Sequence, residues 1–214
     1  MIKAVWTDFG GVLTPPVGHT FTAFCEKTGL EPDPLLKAVL TVTASYGTDD
    51  VMLPLDTPLV TEEEWIRQVA DAYTAAEGVE VEMVSFADTW FDGRETNTRW
   101  LTELHRIKDL GLFVGMLSNM PPAWEEHWRR MVPPEGLFDD VVNSAVVGLR
   151  KPDREIFDLA AARAGVRPDE CVLVDDLAKN CAGAEEAGWR AVRFTDTEEA
   201  IQELGRMLAG SVTV

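Results

Sequence analysis

After Gly93 the chain adopts a rhythm that few folds can host, in which short apolar runs alternate with amphipathic stretches of helical length. A helix is expected near 97–110 (Trp100, Leu101, Leu104, Ile107), with Gly111 where a C-cap glycine belongs. The run 112–117 follows, then a Trp-rich helix (Trp124, Trp128), a short strand at Val141-Val142, and a helix from Asp153 to about Ala164. Strand 171–174, helix 178–187, strand 190–194 and helix 197–208 complete the series. Residues 2–8 read as one further buried strand, ending at the Phe9-Gly10-Gly11 turn. Strands spaced by helices of about 10–15 residues predict an α/β chain with a parallel sheet covered on both faces.

Residues from about 19 to 94 break this rhythm. Their pattern is helical, with Phe21, Phe24 and Cys25 on one face and Leu35, Leu36, Val39 and Leu40 on another. Thr61-Glu62-Glu63-Glu64 has the form of a capping box, starting a helix with Trp65, Ile66, Val69 and Tyr73. Residues 47–60 hold Gly47, Asp49, Asp50, Pro54 and Pro58 and read as a loop. The expected organisation is a core of 1–15 and 95–214 interrupted by a helical insertion at 16–94.

With 46% apolar and 26% charged residues the chain can build a core. Its charge of 19 basic against 37 acidic side chains, −18, repels nucleic-acid backbones, so no nucleic-acid partner is expected. No run reaches the roughly 18 apolar residues of a membrane span. The first acid is Asp8 and no apolar leader precedes it, so a cytoplasmic protein is expected. Cys25, Cys171 and Cys181 show no CxxC spacing and read as buried reduced thiols, while His19, His105 and His127 are too scattered for a metal cluster. The tryptophans fall at helical spacings and read as core.

Open parallel sheets bind ligands outside the carboxyl ends of their strands. The first strand ends in Asp8, the second in Ser118-Asn119, the region after the third holds Arg150-Lys151-Pro152, and the fourth ends in Asp175-Asp176. Singly, these could be an Asx turn, helix caps and a solvated lysine. Together they bring carboxylates, a hydroxyl and an ammonium to one edge. Crowded carboxylates call for a cation, and Mg²⁺ prefers oxygen ligands and binds substrate phosphate. A carboxylate can attack phosphorus to form an aspartyl phosphate, with Mg²⁺, lysine and hydroxyl donors meeting the charge on the transferring group.

Asp8-Phe-Gly-Gly-Val-Leu-Thr14, Leu117-Ser118-Asn119, Arg150-Lys151-Pro152 and Val174-Asp175-Asp176 with Asn180 resemble, in order and spacing, the four motifs of the haloacid-dehalogenase-like hydrolase superfamily. The resemblance implies a Rossmann-like α/β core with a mobile helical cap, inserted after the first motif, over the site. It makes Asp8 the nucleophile and a metal ligand, and Lys151 a catalytic and phosphate-holding group beside Ser118. Asn119 supports the phosphate-binding turn. The Gly10 carbonyl, Asp176 and Asp175 complete a Mg²⁺ site, and Asn180 orders the loop after the acid pair. The implied partner is a small-molecule phosphate ester. Caps of this kind also mediate dimers, so a homodimer is among the arrangements the resemblance allows.

The chain departs from the family pattern at one position. Family phosphatases usually carry a second Asp two residues after the nucleophile to protonate the leaving group, and here that residue is Gly10. General acid catalysis is commonly worth about 10²–10⁴-fold. Either the leaving group departs unaided (a sugar 1-phosphate, acyl phosphate or aryl phosphate), or another residue such as His19 supplies the proton, or the chain is a catalytically weak binding or regulatory module. A 2-haloacid dehalogenase using the same Asp nucleophile would not need the second Asp. It would want an arginine early in the cap, and 15–66 holds only Lys27 and Lys37 as basic residues.

Overall fold

The computed structural model describes residues 1–57, 59–81, 83 and 85–209. Among these the chain divides into two compact units, one of Met1–Pro16, Glu95–Asn119 and Val132 onward, the other of Val17–Arg94 and Met120–Met131. The second unit thus includes a segment, Met120–Met131, that the sequence pattern leaves with the sheet.

The first unit is a five-stranded parallel sheet of β1 (Ala4–Thr7), β2 (Phe113–Ser118), β3 (Asp140–Asn143), β4 (Cys171–Asp175) and β5 (Arg190–Arg193). Its order is β3-β2-β1-β4-β5. The central strands β2, β1 and β4 are buried on both faces because side chains alternate and each face has its own helices. The face bearing Ala4 and Trp6 joins Ile156, Phe157 and Ala160 of the helix Arg154–Ala164 and Ala184 of the helix Ala178–Glu186. Trp6 anchors that face, its ring centroid 5.2 Å from Phe113 and 6.3 Å from Trp189. Its cross-strand neighbour is Gly115, where a Cβ would sit 2.4 Å from the indole, so only glycine admits the ring. The other face bears Val5 and Thr7 and is covered by the helices Thr98–Asp109 and Thr197–Leu208. Trp100 packs edge-on against Phe194 there, and its Nε1 donates to Thr7 Oγ1 at 3.0 Å. Each aliphatic side chain sealed in this way is worth roughly 1.5–3 kcal/mol.

In chain order the helices are α1 (Val17–Thr28), α2 (Pro32–Ser45), α3 (Leu53–Asp56), α4 (Glu62–Glu77), α5 (Phe86–Phe91), α6 (Thr98–Asp109), α7 (Glu125–Met131), α8 (Ser144–Val147), α9 (Arg154–Ala164), α10 (Ala178–Glu186) and α11 (Thr197–Leu208). The 47–60 stretch, expected as loop, contains the short turn of α3; Pro58 lies outside the described residues. Thr61 caps α4 by accepting from Glu64 N. The reciprocal half of the expected box is replaced, since the Glu64 carboxylate binds Arg67 and Gln68 instead. Asp153 stands at the N-cap of α9 but makes no side-chain cap bond.

The second unit is helical. Its interior is aromatic: Phe86 stacks on Trp90 with centroids 4.9 Å apart, Trp90 on Trp124 at 6.0 Å, and Trp65 meets Phe86 edge-on. Trp124 comes from the 120–131 segment, which explains why that segment belongs with the helices rather than with the sheet. Among the described residues no helix is long and apolar enough to cross a membrane. The three cysteines are free and buried.

Candidate active site

The sheet order reverses at β1, from which the chain runs to β2 and β3 on one side and then to β4 and β5 on the other. At such a switch point the loops leave in opposite directions and open a crevice beyond the carboxyl ends. Asp8 follows β1 there, with its backbone N donating to Val174 O at 2.9 Å, so it lies directly beside the end of β4. Ser118 ends β2 and hydrogen-bonds the Asp8 carboxylate. Asp175 ends β4 and Asp176 follows it. One oxygen from each of Asp8, Asp175 and Asp176 falls within 4.8 Å of the others.

Lys151 arrives from the loop between β3 and α9 and is completely buried. Its Nζ lies 2.5 Å from Asp175 Oδ2 and 3.0 Å from Asp8 Oδ1. Its backbone is fixed as firmly. Asn119 Nδ2 donates to Lys151 O at 2.8 Å, and Lys151 N donates to Asn119 Oδ1 at 2.9 Å. Asn119 therefore clamps the loop after β2 to the lysine loop. The residue expected to support a phosphate-binding turn thus holds the backbone of the lysine loop. Asn180, expected to order the loop after the acid pair, donates to both Asp175 oxygens at 3.0 and 3.1 Å, and Leu177 N donates to Asp175 Oδ1 at 2.9 Å.

The cluster holds three carboxylates against one ammonium. Burial lifts the Asp8 carboxyl above its ordinary value, and Lys151 and Ser118 pull against that while Asp175 adds to it. Burial alone would lower the Lys151 pKa, but Asp175 and Asp8 outweigh it and raise it, so the side chain stays an ammonium. For Asp176 the pull of Lys151 is outweighed. Burial first, then Asp8 and Asp175, push its pKa up to about 7. Asp176 also lies tight against Gly11, where a Cβ would come within 2.2 Å of Asp176 Oδ2; Gly11 has φ 76°, so glycine is required there twice over. A cleft of about 470 Å³ lined by Gly11, Thr14, Asn97, Asp176, Arg193 and Asp196 opens beside it.

A carboxyl held at about 7 in the folded chain against an ordinary 3.8 binds its proton more tightly when folded. Its contribution to stability is present below the ordinary value and is lost as pH climbs through the folded value. In metal-free protein the Asp176→Asn variant is therefore expected to melt higher than the parent at about pH 8, with the gap closing toward about pH 4. Thermal melts of both proteins across this range check it, and a gap that does not change with pH would contradict it.

Two contributors escaped the sequence reading. Thr7 is buried beneath the site, where its Oγ1 accepts from Trp100 and donates to Asp8 O at 2.9 Å, fixing the backbone of Asp8. Gly11 gives Asp176 its clearance. A threonine before a strand-end acid and a glycine pair after it were the only available signals. His19 is exposed on α1 of the helical unit. Cys181 is buried with its thiol pushed up to about 12 by burial, as expected of a packing residue.

A switch-point crevice holding strand-end carboxylates and a buried lysine marks a ligand site on a doubly wound α/β sheet. The family model of haloacid dehalogenase-like hydrolases matches residues 2–188, and the chain belongs to that family. It is 31% identical over 114 residues to a sesquiterpene phosphatase of Aspergillus oryzae, covering 53% of this chain and 58% of that protein. It is 32% identical over 115 residues to a glyceraldehyde 3-phosphate phosphatase of Methanopyrus kandleri, covering 52% and 48%. The chain thus spans about half the length of the curated relatives it matches. Among solved structures it shares its fold with a haloacid-dehalogenase-family enzyme of Bacteroides thetaiotaomicron in complex with magnesium and inorganic phosphate, at TM-score 0.64 and 23% identity over 90% of this chain and 94% of that one. It also shares its fold with the L-2-haloacid dehalogenase of Xanthobacter autotrophicus, at TM-score 0.65 and 18% identity over 100% and 85%.

Proposed function

We propose that this hydrolase is a Mg²⁺-dependent phosphatase of a small phosphorylated metabolite, working through an aspartyl phosphate on Asp8, with the helical unit as its cap. The observation that carries the reading is the charge balance: three carboxylates within 4.8 Å of one another and, among the described residues, the Lys151 ammonium paired with two of them. That arrangement suits a divalent cation with oxygen ligands.

The donor set also suggests how the ligands divide. Both Asp175 oxygens already accept hydrogen bonds, from Lys151, Asn180 and Leu177. Asp176 feels Lys151 only as an outweighed pull, and Asp8 Oδ1, although 3.0 Å from Lys151 Nζ, makes no well-directed hydrogen bond. Asp8 and Asp176, with the Gly10 carbonyl, would hold the ion, and Asp175 would hold Lys151. When bound, Mg²⁺ supplies positive charge to the transferring phosphoryl group. Within the chain, Asp8 offers the attacking oxygen, Lys151 and Ser118 hold phosphate oxygens, and Asn119 keeps the lysine aligned. The phosphatase names carried by its relatives support the same reading.

Phosphate release from 4-nitrophenyl phosphate is expected with Mg²⁺ and is expected to vanish with a chelator. The competing reading is a 2-haloacid dehalogenase, favoured by Gly10. Chelator-resistant halide release from a 2-chloro acid, without phosphate release, would establish that reading instead.

A further inference from the structure

Glycine is usually needed for a left-handed backbone or for a close approach, and Gly10 meets neither condition. Its backbone is outside the positive-φ region, whereas Gly11 next to it is inside. A Cβ built on Gly10 meets no atom within 4 Å. A side chain would fit at this position, two residues past Asp8, and none is present.

The neighbours cannot serve as the absent proton donor. Lys151 is fully buried between Asp8 and Asp175 and holds its proton through both contacts. Asp175 is bound as an acceptor by Lys151, Asn180 and Leu177. Ser118 is 2% exposed and already hydrogen-bonded to Asp8. Asp176 belongs to the set that would hold the cation. Among its described residues the sheet unit therefore presents a nucleophile and an acidic cluster suited to a cation, without an acid for the departing oxygen.

Resting on the phosphatase reading above, we propose that the substrate class is one whose leaving group departs as an anion without protonation: acyl phosphates, phosphoanhydrides and aryl phosphates, with leaving-group pKa near or below about 7 preferred. In the first step an Asp8 oxygen forms a bond to phosphorus. The bond from phosphorus to the leaving oxygen breaks, and its electron pair leaves on that oxygen. In the second step water adds to phosphorus, the Asp8–phosphorus bond breaks, Asp8 regains its carboxylate, and the proton of the water passes to the released phosphate. Neither step draws a proton from residue 10. The second step is the same for every substrate, so kcat levels off across acidic leaving groups while kcat/KM does not.

The test is a series running from acetyl phosphate and nitrophenyl phosphates through phenyl phosphate to simple alkyl phosphates, all with Mg²⁺, on the wild-type chain, G10D and G10A. Wild-type kcat/KM is expected to fall steeply as leaving-group pKa rises, with alkyl phosphates at least about 10²-fold below nitrophenyl phosphates. G10D is expected to flatten the slope by raising the alkyl rates about 10²-fold or more. G10A, which fills the space without an acid, is expected to keep the slope steep. A flat slope in the wild type overturns the proposal by showing that another group donates the proton. Equal flattening by G10A and G10D, or a folded G10D with an unchanged slope, overturns it too. No phosphate release from any member of the series by any of the three proteins instead fails the phosphatase reading, and the proposal with it.

Discussion

Asp8→Asn is expected to reduce phosphate release from 4-nitrophenyl phosphate by at least about 10⁴-fold, the scale on which loss of a covalent nucleophile is felt. An amide keeps the shape of the carboxylate but cannot form the aspartyl phosphate. The fold should survive. Asp8 is buried at a position where burial already opposes its charge, and Lys151 retains Asp175 at 2.5 Å when the Asp8 charge is removed. The metal-free variant is therefore expected to melt at or above the temperature of the parent. Steady-state kinetics and a melting curve on the same preparation check both halves. Activity within tenfold of the parent would remove Asp8 from the chemistry.

Lys151→Ala is expected to lower both activity and stability. The ammonium is fully buried and is the one cation placed 2.5 and 3.0 Å from two carboxylates. Removing one partner of a buried ion pair costs about 3–5 kcal/mol because the other charge is left uncompensated. For a chain of this size each kcal/mol lowers the melting temperature by roughly 2–4 °C, so a drop of about 6–20 °C is expected. Millimolar Mg²⁺ should restore part of that loss, because a divalent ion among Asp8, Asp175 and Asp176 returns positive charge to the cluster. A shift below about 1 °C would mean that the lysine is not what holds the acids together.

The sheet was legible because its signal is redundant. Each strand is an apolar run followed by a helix-length amphipathic stretch, and an error of a residue at either end leaves the parallel topology unchanged. Ser118 and Asp175 were found for a physical reason: they end β2 and β4, the edge where such sheets bind ligands. The Lys151 side chain could not be placed this way, since its direction depends on a pair of hydrogen bonds to Asn119, 32 residues away in sequence. The same limit hid Thr7, whose partner Trp100 is 93 residues distant. Met120–Met131 was misassigned because Trp124 and Trp128 look alike whether they pack on a sheet or on helices, and only the stacking of Trp124 on Trp90 and Phe86 decides. Asp153 and Glu64 show the same thing on a small scale: a capping residue type marks where a helix begins without fixing which bond its side chain makes.

Asn97 N donates to Leu13 O at 2.8 Å, and the Asn97 side chain donates to Val12 O and to Thr197 Oγ1. At this first of two excursions, the second being Met120–Met131, the polypeptide leaves the sheet unit and re-enters it at points latched together by one asparagine. Whatever is spliced between those two points inherits ends already held together, so its length and sequence are decoupled from the integrity of the scaffold. A foreign helical segment grafted between Leu13 and Asn97 would start from ends the scaffold already holds, but it would have to offer Trp124 a surface in place of Phe86 and Trp90.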